Sequence, residues 1–395
     1  MYFRFKLAFA AVCVLIAGWF VMNFETGGNR AGAIHAASDM APRLSLLPGM
    51  PPVFDTNNLY SADRAGMLSP VVENFPSRVY VPNSKSDSVD IIDPSTYKIV
   101  GHFSLPKHPQ HPKGHLEPQH VIPSWDLKKL WVAQDLGDQL TLIDPGTAKQ
   151  GETIQVDDPY NMYYTPDGKY AIVMAERERR IDFRDAQTMK VVNKVPVACE
   201  GVNHADFSID GRFMIATCEF SSELIKVDVA QQKVLAHLKL TPKGMPQDCR
   251  VSPDGKVFYV ANMEADGVHL IDGDAFKQIG FVKTGKGAHG LYFTRDSKYM
   301  YVTNRGEGSV SLIDVATREA VKKWTIPGGG SPDMGGVSAD GKSLWLSGRY
   351  NSEVYVLDTA NGNLRARIRV GEGPHGLCVY PQPGRYSLGH TGNIR

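Results

Sequence analysis

The sequence has no C-x-x-C pair and no C-x-x-C-H, so covalent attachment of a c-type haem is excluded. It has no excess of either charge. Lys and Arg number 43 against 42 Asp and Glu, a formal net charge of +1, and that balance gives no footprint for nucleic acid or a polyanionic partner. No G-x-S-x-G marks a serine nucleophile. After residue 24 no helical period of useful length appears, which removes TPR and HEAT arrays. One long uncharged stretch exists, residues 7–24, so contact with a membrane is confined to the N-terminus.

That stretch follows Arg4 and Lys6, the order of a secretion signal. Its 18 residues are long for a cleaved signal and just enough to span a bilayer. Residues 31–33 (AGA) offer a cleavage site. Residues 1–33 therefore read as a signal peptide or a membrane anchor. Either places the body beyond the cytoplasmic membrane, periplasmic or extracellular, where an envelope protein would be its partner.

What is abundant is turn chemistry, with 38 Gly and 25 Pro, and one repeated phrase. An apolar strand ending in Asp recurs as VDIID (89–93), LTLID (140–144), RIDFRD (180–185), LIKVD (224–228), VHLID (268–272), VSLID (310–314) and VYVLD (354–358). Successive copies are 51, 41, 43, 44, 42 and 44 residues apart. Between them run hairpins such as MYYTPDGKYAIVM and CRVSPDGKVFYVAN, with D-G at the turn and alternating β-branched and aromatic residues on both sides. Each period holds four short strands, A to D from inside to outside. The spacing predicts an all-β fold, a seven-bladed β-propeller with four antiparallel strands per blade. The body opens on RVYVPNSKSDSVDIID, which lacks a strand A, and closes on HGLCVY, which is a strand A alone. Residues 375–380 should therefore supply the inner strand of the first blade, closing the ring with N- and C-terminal strands and leaving no free edge. The predicted divisions are a linker or wrapping segment over 34–76, the propeller over 77–380 and a C-terminal tail over 381–395 lying on a face.

The phrases VYVPNSKSDSVDIID, VYVTNRGEGSVSLID and VYVLDTANG resemble the YVTN-type β-propeller repeat over roughly residues 77–380. That family is similar in architecture to the haem-d1 domain of cytochrome cd1 nitrite reductase. The resemblance implies the fold. It leaves function open, because propellers host lyases, lactonases, redox enzymes and binding scaffolds. The chain lacks the c-haem domain of that reductase.

The residues just before each strand A are His120, Asn161, His204, Asp248, His289, Asp333 and His375. They recur with the period of the fold, so they should form a ring at the mouth of a central funnel. Imidazole and carboxylate together are ligands for copper, zinc or iron. The same groups suit acid–base work, with Asp248 and Asp333 as candidate catalytic residues of a lactonase-like hydrolase. A tetrapyrrole with an axial His is a further use, ranked behind a metal ion. Against these stands plain structure: hydrogen bonding to backbone and channel water, with the propeller a non-catalytic interaction scaffold. The metal or metal-cofactor reading leads, with His120, His204, His289, His375, Asp248 and Asp333 as ligands and Asn161, Arg177 and Arg305 as further cofactor contacts.

Three other features bear on this. The insertion KHPQHPKGHLEPQH adds His108, His111 and His115, an auxiliary metal tract or a solvated loop. Loops between strands B and C carry Arg177, Arg179, Arg180, Arg305 and Arg349, a rim for carboxylates or propionates or simply a self-paired surface. Cys199 and Cys218 fall near the same face and are candidates for a disulfide, while Cys249 and Cys378 fall in inner strands as core thiols.

Overall fold

A computed structural model describes residues 44–395 apart from residue 111. The proposed signal or anchor over 1–33, and residues 34–43 of the wrapping segment, lie outside the described residues. Among the described residues no helix is long and apolar enough to cross a membrane.

Alternation of β-branched and aromatic residues with turns every few residues gives strands of mostly six residues, paired into seven four-stranded antiparallel sheets. The blade between them repeats as expected. The A–B turn repeats too. In six blades a Ser or Thr hydroxyl donates to the Asp two residues on: Ser124 to Asp126, Thr165 to Asp167, Ser208 to Asp210, Ser252 to Asp254, Thr294 to Asp296 and Ser338 to Asp340, at 2.5–2.6 Å. The same Asp accepts a backbone N–H further round the turn, as Lys256 N–H does to Asp254. A Ser or Thr two residues before an Asp is thus a side-chain clasp that fixes the A–B hairpin in these six blades.

Blade 1 is closed as expected. Its inner strand is Cys378–Tyr380, paired antiparallel to Arg78–Asn83. The inner strands of blades 2 to 7 are Pro118–Pro123, Pro159–Tyr164, Val202–Phe207, Pro246–Val251, Ala288–Phe293 and Pro332–Val337. Neighbouring inner strands are stitched across the ring. Val121 N–H donates to Gly376 O and Gly376 N–H to Gln119 O. Ala205 N–H donates to the Tyr163 hydroxyl, Val251 N–H to Asp206, Leu291 N–H to Asp248, and Gly335 N–H to the Tyr292 hydroxyl. Between blades the core is apolar and buried, with Tyr163, Phe183, Phe207, Phe258 and Trp345 among its largest side chains.

Residues 44–76 contact the blades. Leu47 N–H donates to Asp210 O, Leu59 N–H to Pro253 O, and the Tyr60 hydroxyl to Val251 O, all at the A–B end of the blades. Cys199 and Cys218 are joined in a disulfide with Cα atoms 5.9 Å apart, inside the range such a bond requires. Cys249 and Cys378 are free and buried.

Candidate functional site

Side chains aimed at the axis need an inner strand that departs from regular pleat. Each inner strand of blades 2 to 7 has a register shift at its ring residue, between Pro118 and His120, Pro159 and Asn161, Val202 and Ala205, Pro246 and Cys249, Ala288 and Leu291, and Pro332 and Gly335. Bulges of this kind re-aim side chains. The ring residues of blades 2 to 7 are therefore inside the bulged start of the strand, not just before it, while His375 precedes the inner strand Cys378–Tyr380 of blade 1.

All seven converge, but not on an open funnel. His120, Asn161, His204, Asp248 and Asp333 are 0% exposed, His289 1% and His375 2%. The expected mouth is closed. On one side Tyr160 covers the ring, its aromatic centroid 5.4 Å from His120, 5.9 Å from His204 and 6.4 Å from His375. On the other side the segment 381–395 does more than lie on a face. It leaves the inner strand of blade 1 at the A–B end and turns back into the channel. Tyr164 N–H donates to Leu388 O and His390 N–H to Met162 O, so residues 388–390 pair with the inner strand of blade 3. Tyr386 and Leu388 join the buried cluster of blades 3 and 4, and Ile394 that of blades 1 and 2. Arg395 reaches Asp206 at 2.7 Å. The tip of this hairpin carries His390, 0% exposed, into the ring.

His390 is the residue that sequence reasoning missed. It belongs to no repeat, so no period marks it. Gly384, Gly389 and Gly392 around it all take positive φ, and a Cβ on Gly389 would run into the backbone of Met162 and Tyr163. That glycine spacing was the available signal.

Five imidazoles now fill the centre. Centroid separations are 4.9 Å for His120–His375, 5.1 Å for His120–His390 and His204–His390, 5.7 Å for His120–His204, 6.0 Å for His289–His375 and 6.3 Å for His204–His289. They fall into two sets whose donor atoms lie within 4.8 Å of one another: His120, His204 and His390, and His289, Asp333 and His375.

The first set has unspent donors. His120 Nδ1–H donates to Tyr160 O at 2.9 Å, which leaves the lone pair on Nε2. Nε2 of His120, of His204 and of His390 is buried with no hydrogen-bond partner. Buried polar atoms are normally satisfied, so three unpartnered imidazoles gathered in one group fit a ligand there. Asn161 stands behind two of them. Its Oδ1 accepts from Met162 N–H, and its Nδ2 faces Nδ1 of His390 at 2.9 Å and of His204 at 3.3 Å. An ion at the Nε2 atoms of His204 and His390 requires the opposite tautomer, in which Asn161 turns its oxygen toward both Nδ1–H groups. Burial holds all of these rings neutral: His120 is pushed down to about 3, and His204 and His390 well below the ordinary imidazole value.

The second set is spent internally. Asp333 lies 3.0 Å from His289 Nδ1, 3.6 Å from His375 Nε2 and 3.3 Å from Arg305. Burial raises the Asp333 carboxyl, but those imidazoles and the guanidinium overcome it and hold the group well below the carboxylate range. His375 Nδ1 is the one unpartnered atom in this set. Asp248 accepts from Cys249 and Leu291 N–H and stands 3.8 Å from His390 Nε2; burial pushes it up to about 6.

Of the other sequence candidates, Arg349 acts electrostatically on His120, His289 and His375, and the other rim arginines pair with carboxylates. Arg177 bonds Asp158 at 2.9 Å and Asp135 at 3.3 Å on the rim. Arg179 pairs with Glu200, and Arg180 with Glu178, Asp157 and Asp182. Arg349 reaches Gln119. In the His-rich insertion His115 bonds Asp87 at 2.7 Å, His108 Nδ1 accepts from Gln110 N–H, and His111 lies outside the described residues.

A family model for YNCE-like beta-propellers matches residues 56–384. Two curated relatives, both uncharacterized proteins called YncE, from Salmonella typhimurium and Salmonella typhi, are 26% and 25% identical over 183 residues. Those alignments cover 45% of this chain and 50% of each relative, so the chain spans about half the length of the curated relatives it matches. Among solved structures, a protein of unknown function from Desulfotomaculum acetoxidans is similar at TM-score 0.61 and 14% identity, covering 76% of this chain and 98% of that one. The dihydro-heme d1 dehydrogenase NirN in complex with DHE is similar at TM-score 0.58 and 16% identity, over 80% and 76%. Kuenenia stuttgartiensis hydrazine synthase is similar at 0.57 and 19%, over 66% and 88%. At these identities the likeness is one of fold.

Proposed function

We propose, for a chain that belongs to the YNCE-like beta-propeller family, that it is an exported protein whose central imidazole cage binds a transition-metal ion in metal handling or redox work. The observation that carries this is the gathering of His120, His204 and His390, each with a ring nitrogen within 4.8 Å of one on the others and each with an Nε2 buried without a partner. Neutral nitrogen donors of this type suit copper, zinc or iron. The Tyr160 carbonyl behind His120 is the second support that an imidazole ligand normally has. When bound, the ion would supply Lewis acidity or an electron. The chain itself orients the rings, keeps them unprotonated and shuts out water.

Imidazoles 4.9–6.3 Å apart leave room for an ion between them, not for a planar tetrapyrrole. A tetrapyrrole would have to lie outside the ring, beyond Tyr160. Export agrees with the Cys199–Cys218 disulfide, a bond that persists in oxidising compartments.

The test is elemental analysis of protein purified without chelator, with a visible spectrum of the same sample. We expect about one equivalent of copper, zinc or iron per chain, falling below about a tenth in the His120→Ala/His204→Ala variant while the circular dichroism is unchanged. Equal metal in the variant would remove the assignment. Strong visible bands with iron would move it to a tetrapyrrole.

A further inference from the structure

The third imidazole does not come from a blade. Each blade of a propeller is held by its neighbours, so His120 and His204 are in place whenever the ring is folded. His390 is in place only when the hairpin over residues 386–395 is seated in the channel. Its seating contacts are two backbone bonds to the inner strand of blade 3, Ser387 N–H to Trp125 O, the apolar side chains Tyr386, Leu388 and Ile394, His390 against Asn161 and the Tyr163 ring, and Arg395 on Asp206 and the Tyr60 ring. The seating also strands polar atoms. His390 Nε2, the Thr391 hydroxyl and both side-chain polar atoms of Asn393 are buried without a partner. Buried groups of this kind oppose docking. A ligand at His390 would remove one of these costs.

We infer that ion binding and docking of residues 381–395 are a single coupled event: the ion is held by His120 and His204 from the blades and His390 from the C-terminal segment, and so locks that segment into the channel. This rests on the metal reading above and adds to it the ligand that closes the site and what occupancy controls. An ion that binds only the docked state stabilises docking by mass action. The same linkage makes the docked segment part of the affinity for the ion, since an undocked population dilutes the competent state. Release of the ion would then loosen the segment and uncover the A–B end of the inner strands of blades 3 and 4.

Hydrogen exchange tests this on the full chain, with zinc as the probe. Amides of residues 386–395 are followed with chelator and with free zinc at about 100 times its Kd, and amides of the outer strands serve as the internal control. The inference expects exchange in the segment to slow by roughly 100-fold with zinc and the outer strands to be unaffected. His390→Gln keeps an oxygen to accept from Asn161 but has no imidazole. It should bind zinc at least about tenfold more weakly and lose the zinc-dependent protection. Arg395→Ala, remote from the imidazoles, should exchange faster in the segment without zinc and regain protection with it. If zinc binds stoichiometrically but the segment exchanges equally with and without it, or His390→Gln binds zinc with unchanged affinity, the coupling is wrong and the metal site stands on blade residues alone. If the wild-type chain binds no zinc, copper or iron, both the coupling and the metal reading fall.

Discussion

At the scale of single residues, Asn161 separates a metal centre from a hydrogen-bonded core. Its amide N–H groups face the Nδ1 atoms of His204 and His390. Asn161→Asp would put carboxylate oxygens there instead. Such an acceptor behind two ligating rings raises their basicity, so zinc affinity should rise by about tenfold, while the zinc-free protein is destabilised by a buried carboxylate without a full set of donors. Calorimetric titration and zinc-free urea unfolding read the two effects. A purely structural ring predicts the loss without the gain. Gly376 is the second such position. A Cβ there would run into the His120 ring and the Gln119 carbonyl, so Gly376→Ala should lower zinc content while leaving the outer blades folded. Isotopic labelling of the histidines would show the displaced His120 signal.

At the scale of elements, the turn clasps and the disulfide carry testable weight. Asp254→Ala removes the acceptor of both Ser252 Oγ and Lys256 N–H. It should cost about 1 kcal/mol, the net worth of such bonds, read as a lower urea midpoint at unchanged slope. Opening the Cys199–Cys218 bond, as Cys199→Ser/Cys218→Ser, frees a loop of separation 19 and should cost about 2–4 kcal/mol. The sequence made these elements legible because each is periodic. Asp–Gly turns, the strand ending in Asp and the ring residues recur every 41 to 44 residues in most intervals. The bulges were not legible: they arise where the inner strand must both pair with its neighbour and point a side chain at the axis, and no residue type marks that conflict. His390 was not legible for a related reason. A segment used once leaves no period, and its placement depends on pairing with Met162 and Tyr164, more than 200 residues away in sequence.

At the scale of the whole molecule, closure at both ends of the channel explains why the ring is buried and its imidazoles are pushed below their ordinary value. Tyr160 and its surrounding carboxylates lie on one side, the C-terminal hairpin on the other. The carboxylates have a consequence for pH. Glu176, buried beside Glu219, Asp135 and Asp158, is pushed up to about 9, chiefly by loss of water. The folded state therefore keeps a proton that the unfolded chain releases near its ordinary value of 4.5. The native state binds more protons throughout that window, so stability falls as the pH rises through it and levels off above about 9. Between pH 7 and 8.5 ordinary imidazoles are neutral in both states, so the fall there belongs to the carboxylates. Glu176→Gln should flatten it, seen as urea midpoints that differ less between the two pH values than in the wild type.

The central claim concerns what the imidazole cage holds, and metal-edge X-ray absorption on the zinc-loaded full chain addresses it most directly. The cage should give a first shell of three imidazole nitrogens at about 2.0–2.1 Å, with the outer-ring scattering that imidazole gives, and lose one imidazole in His390→Gln. A first shell of oxygens alone, or zinc that washes away on dialysis against chelator-free buffer, would contradict it and return the ring to a structural role.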